Sequence, residues 1–252
     1  MNITFQGDPA HARQILITNL VSIFGSIPLL IYFWEWWYAL YILGFYSFLL
    51  FVSHHAGLHR YFSHKSYSVN KFWHAFLCLS SCLVCMGSPA GYAVIHRSHH
   101  AHTDTEKDPH AHKYLGFRRV IFFRWNLDNL SMWDAVKDLR DPWIKFTHNY
   151  YILVINTFLL ILLLIDPILL LCFNVGVVGS FFAMGFINTV CHSDGVTTYK
   201  NHKTKDDSSN SYVALLIGEW HNNHHAHPRK WNQRERWWEI DYAAQFIKVI
   251  KK

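Results

Sequence analysis

Residues 149–191 read "NYYILVINTFLLILLLIDPILLLCFNVGVVGSFFAMGFINTVC", and Asp166 is the only charged residue among them. A bilayer-spanning helix needs roughly 17 to 25 mainly apolar residues. Asn149 to Ile165 and Pro167 to Cys191 each supply such a run, so the stretch predicts two transmembrane helices joined by a tight Asp166-Pro167 turn. Gln14 to Trp34 and Trp36 to Ser53, separated by Glu35 alone, repeat the pattern. The expected fold is an all-α integral membrane protein. Four transmembrane helices, at 14–34, 36–58, 149–165 and 168–191, would form two hairpins.

The basic residues set the expected topology. None of the 23 Lys and Arg lies between Arg13 and Arg60, and none between Lys145 and Lys200. An even number of spans puts all the basic segments on one face, which the positive-inside rule assigns to the cytosol. Both termini, the 59–148 segment and a cap over 192–252 are therefore expected there, in a single domain covering 1–252. A fifth apolar run, Ala75 to Ile95, would separate "HRYFSH" (59–64) from "HRSHH" (96–100) if it spanned. Gly87, Pro89 and Gly91 interrupt it, which predicts a re-entrant or interface-lying helix over 72–95 that returns to the cytosolic face.

Composition agrees with a membrane protein that binds something through histidine. Charged residues are 16% of the chain and aromatics 17%, with 19 histidines; soluble chains carry about 25% charged residues. The net charge of +6 suits a basic face beside anionic lipid. No nucleic-acid-binding module is present. The N-terminal "MNITFQGDPAHAR" is polar and the first apolar run lacks a small-residue cleavage site, so that run is expected to remain as an anchor. Cys78, Cys82, Cys85, Cys172 and Cys191 all fall in apolar runs and read as buried thiols rather than a soft-metal site.

Three histidine groups stand out: His59 and His64; His96, His99 and His100; His221, His224 and His225. The last two share the spacing H-x-x-H-H, which lies along one helix face and can feed two neighbouring metal ions. His59 and His64 are five residues apart, about 140° on an ideal α-helix, so the helix is expected to end or bend between them. Structural zinc is satisfied by four ligands. Eight imidazoles therefore imply two ions, and redox-active iron is favoured over zinc among metals that accept nitrogen. Headgroup-level histidines are the plainer alternative for any one group alone.

"HRYFSH", "HRSHHAHTDTEKDPH" and "GEWHNNHHAHP" together resemble the three histidine boxes of the membrane-bound fatty-acid desaturases, in particular the stearoyl-CoA or delta-9 acyl desaturase group. The similarity runs from about Leu43 to Tyr242 and ends in "RWWEIDY". It implies an O2-dependent acyl desaturase holding two Fe2+ ions on His59, His64, His96, His99, His100, His192, His221, His224 and His225, with Asn188 reaching a metal through water. Without it, His192 is only a helix-end histidine, although Asn188 and His192 share a helix face. Asp104, Asp108, Glu219, Asn222 and Asn223 are candidates to accept the outward N–H of the ligand rings. His55 stands where the family has a small polar residue and is expected to be a non-ligand; His110 is expected to be structural, and His102 falls off the ligand pattern.

The substrate expected from this resemblance is a saturated fatty acyl chain, carried on coenzyme A, with its polar head at the cytosolic surface. Sequence does not separate coenzyme A from acyl carrier protein or glycerolipid. Leu43, Ser47 and Leu50 could line or close the far end of an acyl tunnel. No haem "HPGG", Cys-rich ferredoxin pattern or Gly fingerprint is present, so a separate ferredoxin, cytochrome-b-type protein or flavoprotein would supply electrons. Two alternatives remain at this stage: a hydroxylase on the same scaffold, and a metal transporter, which would place its ligands at the bilayer midplane.

Overall fold

The Asp166-Pro167 turn forms by local chemistry. In the computed structural model Asp166 accepts a hydrogen bond from the Ile168 N–H at 2.9 Å while Pro167 opens the next helix, combining a side-chain N-cap with a residue whose missing donor costs nothing there. The structure describes residues 17, 18, 20–127, 130, 137–193, 195–200 and 206–252. The N-terminus and the first residues of the expected 14–34 span lie outside these.

Among the described residues helix is the only regular secondary structure, apart from one isolated β-bridge, Val196 to Asn210. α1 is Ser22–Tyr32 and α2 is Tyr38–Ser63; α3 is Lys71–Cys82 and α4 Pro89–His102. The short α5 (His112–Leu115) and α6 (Phe117–Ile121) follow, then α7 (Pro142–Asn149), α8 (Tyr151–Ile165) and α9 (Pro167–Ile187), which runs on through a short turn to His192. The cap carries α10 (Ala214–Ile217), α11 (His221–Ala226) and α12 (Tyr242–Ile250). α2 and α9 are long and apolar enough to cross a membrane, and α7 with α8 makes a third such segment, bent by 76°. Over the described residues α1 is apolar but shorter than a span requires. This is a helical membrane protein with two or three such helices among the described residues.

α2 and α9 pack closely because α9 is smooth where they meet. A Cβ on Gly176 would lie 2.9 Å from Phe45 Cβ, and one on Gly179 3.0 Å from the Tyr46 ring. Leu49, Leu50, Phe173 and Val177 form the centre of the core there, joined by Tyr151 and Ile155 from α8.

The 75–95 run is two helices. α3 ends at Cys82, and α4 starts anew with Ser88 accepting from the Gly91 N–H at 3.3 Å and Pro89 in its first turn. Gly87, at φ +101°, makes the break. Gly91 does not contribute to it, because its N–H is satisfied by the Ser88 cap inside α4. The two helices thereby return the chain to the end of α2.

α2 itself departs from the expected winding. From Phe48 to Ser63 it is π-wound, with the His64 N–H donating to the His59 carbonyl at 3.2 Å. An i→i+5 pattern puts more than four residues in each turn, so residues five apart nearly align. The helix ends at Ser63, with His59 on its last turn and His64 at its C-cap, as the sequence suggested, and the wider turn brings both to one side.

Candidate metal centre

Four elements bring the nine expected histidines together in two adjacent clusters. One holds His59 from α2 and His64 just past its end, His96 and His100 from α4, and His224 from α11; the other holds His99 from α4, His192 beyond α9, and His221 and His225 from α11. The two H-x-x-H-H motifs divide in opposite ways. In α4 the i, i+4 pair enters the first cluster and the i+3 residue the second; in α11 the i, i+4 pair enters the second and the i+3 residue the first.

The rings meet through their Nε2 atoms. His59 and His224 are 2.9 Å apart at Nε2, His64 and His96 2.7 Å, His96 and His100 3.1 Å, and His100 and His224 2.9 Å. In the second cluster His192 and His221 lie 2.7 Å apart and His99 and His225 3.3 Å. With metal–nitrogen bonds of about 2.0–2.1 Å, ligand nitrogens around one ion stand roughly 3.0–3.4 Å apart, close to the observed spacings.

The outward nitrogens decide between hydrogen bonding and metal binding. His99 Nδ1 lies 2.8 Å from Asp108, His192 Nδ1 3.0 Å from Asp104, and His225 Nδ1 3.0 Å from Asp206. A carboxylate accepts, so Nδ1 carries the proton and Nε2 presents a lone pair inward. Facing lone pairs repel unless a cation lies between them. Burial, reinforced by neighbouring imidazoles, holds His96, His99, His100, His221 and His224 well below the usual histidine pKa, and burial takes His64 to about 3. These six rings are thus neutral at physiological pH, the form that ligates metal. Their chemistry fits a pair of metal ions.

Glu219 serves both clusters. Its carboxylate accepts from Gln233 Nε2 at 2.9 Å and lies 3.7 Å from His59 Nδ1 and 3.8 Å from His221 Nδ1. Asp104 adopts φ +56°, and its carboxylate also accepts the Asp207 N–H at 2.8 Å. Asp108 accepts the backbone N–H of Asp104 and of His110 at 2.9 and 3.0 Å, so the 104–110 loop is folded around it.

Other expected residues are placed differently. Asn222 and Asn223 do not meet the ligand rings. The Asn222 amide accepts from the Thr198 and Tyr199 N–H groups and donates to the Tyr199 and Ser208 carbonyls, while Asn223 donates to the Gln233 carbonyl and Glu239. Both face away from the histidines on α11 and hold the cap together. Leu50 is buried in the core, Ser47 half-buried, and Leu43 exposed on the outer side of α2, because the face that meets α9 is the one carrying Phe45, Tyr46 and Leu49. His55 and His110 belong to neither the five-histidine nor the four-histidine cluster: His55 lies 3.2 Å from Glu219, and His110 lies near His99 with ring centres 4.2 Å apart. His102 is exposed.

Asn188 lines a cavity of about 20 Å³ beside both clusters, together with His99, His221, Tyr92, Ile95 and Met184. That is room for one or two water molecules. None of Leu43, Ser47 and Leu50 lines it. Asp206, the partner of His225, and His54, whose Nε2 lies 2.8 Å from the Tyr92 hydroxyl in the cavity wall, were not marked by any spacing.

Buried, convergent imidazole clusters at the ends of apolar helices define a membrane protein with a histidine-rich metal site. The chain belongs to the fatty acid desaturase family, which it matches over residues 33–248; it is an oxidoreductase acting on fatty acyl chains. It is 29% identical over 203 residues to the sn-1 stearoyl-lipid 9-desaturase of Anabaena variabilis, covering 77% of this chain and 74% of that one. The sn-1 stearoyl-lipid 9-desaturase of Synechocystis is 31% identical over 202 residues, 77% of this chain and 63% of that protein's length. Delta-9 acyl-lipid desaturase 2 of Arabidopsis thaliana is 30% identical over 248 residues, 89% and 76% of the two chains. These similarities favour a desaturase over the hydroxylase and transporter alternatives.

Proposed function

We propose that this chain introduces a cis double bond at the delta-9 position of a saturated acyl chain, using O2, two Fe2+ ions and electrons from a separate donor. The nine histidines would hold the ions, five around one and four around the other, with Asn188 acting through water. The observation that carries the reading is the inward Nε2 convergence combined with outward Nδ1 contacts to Asp104, Asp108 and Asp206. Iron bound there would supply the reduction of O2 and the removal of hydrogen from an unactivated methylene.

The chain's own residues supply placement and exclusion. Asp108, Asp104 and Asp206 fix the tautomer and direction of His99, His192 and His225. Ile95, Met184 and Ile187 give the small cavity beside the histidines an apolar side that limits the entry of bulk water. Conversion of CH2–CH2 to CH=CH with reduction of O2 to two waters takes two electrons and two protons from outside. A ferredoxin, cytochrome-b-type or flavoprotein donor docked on the basic face would deliver the electrons. In this reading four segments cross the bilayer, and the histidines and both termini face the cytosol.

The acyl carrier is a glycerolipid rather than coenzyme A; support comes from the relatives above, named for lipid-bound substrates. Expression in a desaturase-deficient cell, with mapping of double bonds in each lipid class, tests this. New delta-9 chains should appear on glycerolipid before the free acyl pool. Appearance first in acyl-CoA would overturn the carrier, and no new unsaturation despite iron and donor would overturn the activity. Purified protein should hold about two irons per chain.

A further inference from the structure

Residues 237–242 of the cap, "WWEIDY", point the wrong way for a segment facing water. Both carboxylates turn inward and are buried: Glu239 accepts from Asn223 and from the Glu235 and Arg236 N–H groups, and Asp241 holds Arg60 at 2.8 Å. The apolar side chains turn out, with Trp237 79% exposed and Trp238 and Ile240 about half exposed. Beside them, the uncharged stretch "SYVALLIG" (211–218) exposes Tyr212 and Leu216, at 84% and 70%. The two stretches are joined where Trp220 Nε1–H donates to the Ile240 carbonyl at 2.9 Å.

Their height along α2 identifies what covers this surface. The Tyr46 hydroxyl donates to the Leu216 carbonyl at 3.2 Å, and the Tyr242 and Phe51 ring centres lie 4.8 Å apart. Gly218, at φ +70°, fits against Phe51, where a Cβ would stand 2.7 Å from the ring. Phe51 precedes His59 by eight residues, on the order of 10 Å along the helix, toward the apolar end. The surface is thus continuous with the flank of α2, and Arg234 and Arg236 stand exposed at its edge.

We propose that 212–217 and 237–242 form a shelf inserted into the phospholipid leaflet, with Trp237 and Trp238 at headgroup depth and Arg234 and Arg236 toward anionic headgroups. Exposed tryptophans favour that boundary, and an apolar face beside basic residues binds in its plane. The shelf sets the height of α11 over the bilayer, and so the depth at which a lipid-borne chain meets the histidines. The inference rests on reading α2 as a span.

Nitroxide labels test both readings separately. The five native cysteines are buried, so Leu216→Cys, Trp237→Cys and, as a reference on α2, Leu43→Cys can be labelled in protein reconstituted into phosphatidylcholine–phosphatidylglycerol vesicles. At Leu216→Cys and Leu43→Cys collision with O2 should exceed collision with a water-soluble nickel chelate several-fold, and at Trp237→Cys, at headgroup depth, the two should be comparable. Nickel-dominated relaxation at Leu216→Cys and Trp237→Cys, with O2-dominated relaxation at Leu43→Cys, would overturn the shelf alone. Protection from both reagents at the first two sites would mean a protein covers them and would overturn it too. Nickel dominance at Leu43→Cys as well would remove the span and the shelf together. Quenching by brominated-chain lipids of unlabelled protein, reduced on Trp237→Phe/Trp238→Phe, gives the same answer without cysteine variants; no reduction opposes the shelf.

Discussion

At the residue scale, the carboxylates behind the histidines do as much to define the site as the histidines themselves. Asp206 is tied to His225, and burial, which alone would raise its pKa, is outweighed by that imidazole and by Ser208, so its carboxyl lies far below the usual range. Partners of this kind typically contribute 10–100-fold in metal affinity. Asp206→Asn and Asp108→Asn are expected to weaken iron binding by about that factor while the helical circular dichroism is kept; unchanged affinity in a chelator competition would oppose the assignment. The histidines were legible because ligand spacing is written locally, in H-x-x-H-H. Asp206 was not, since it meets His225 only through a turn of the cap, and Asn222 and Asn223 look like ring partners in sequence because helix phase alone does not say which side of α11 is enclosed.

At the element scale, α2 ends between His59 and His64 as their spacing required, but its winding could not be read from the sequence. Apolar length marked the helix, and the cap at Asp166 marked the other hairpin, because both depend on neighbouring residues. The π-wound stretch depends instead on what surrounds it: Gly57 seats Ser81, whose hydroxyl donates to the Ser53 carbonyl at 3.1 Å, and Arg60 is fully buried. Arg60 donates to both oxygens of Asp241, at 2.9 and 2.8 Å, and to the Trp231 carbonyl, fastening the cap to α2. Removing one partner of a buried pair costs about 3–5 kcal/mol. Asp241→Ala should therefore lower the thermal midpoint of the purified protein strongly, whereas an exposed change such as Glu106→Ala should not. Equal midpoints for the two would mean the pair does not hold the cap.

For the whole molecule, so many buried neutral imidazoles make stability depend on pH. His64 titrates near 3 when folded and near the ordinary 6.5 when unfolded, and the other lowered histidines act in the same direction. Between those values the unfolded chain binds a proton that the folded chain does not, so stability rises with pH and is lost as pH falls below about 6.5. Each such histidine adds up to about 1.4 kcal/mol per pH unit in that window. Metal-free protein in detergent should unfold at markedly lower temperature at pH about 5.5 than at about 7.5; a flat profile would contradict the neutral, buried assignment. Membrane class and family were legible from runs and motifs. The placement of the tunnel residues was not, because it depends on which faces the helices turn toward each other.

The crossed division of the two H-x-x-H-H motifs has a thermodynamic consequence for loading. α4 and α11 each donate to both clusters, so an ion captured in one orders the same two helices that the other must use. The first ion bears the ordering entropy and the second does not. Titration of metal-free protein should then be sigmoidal, with singly loaded chains scarce at every intermediate concentration in native mass spectra; a statistical mixture with abundant singly loaded chains would show that the two sites fill independently.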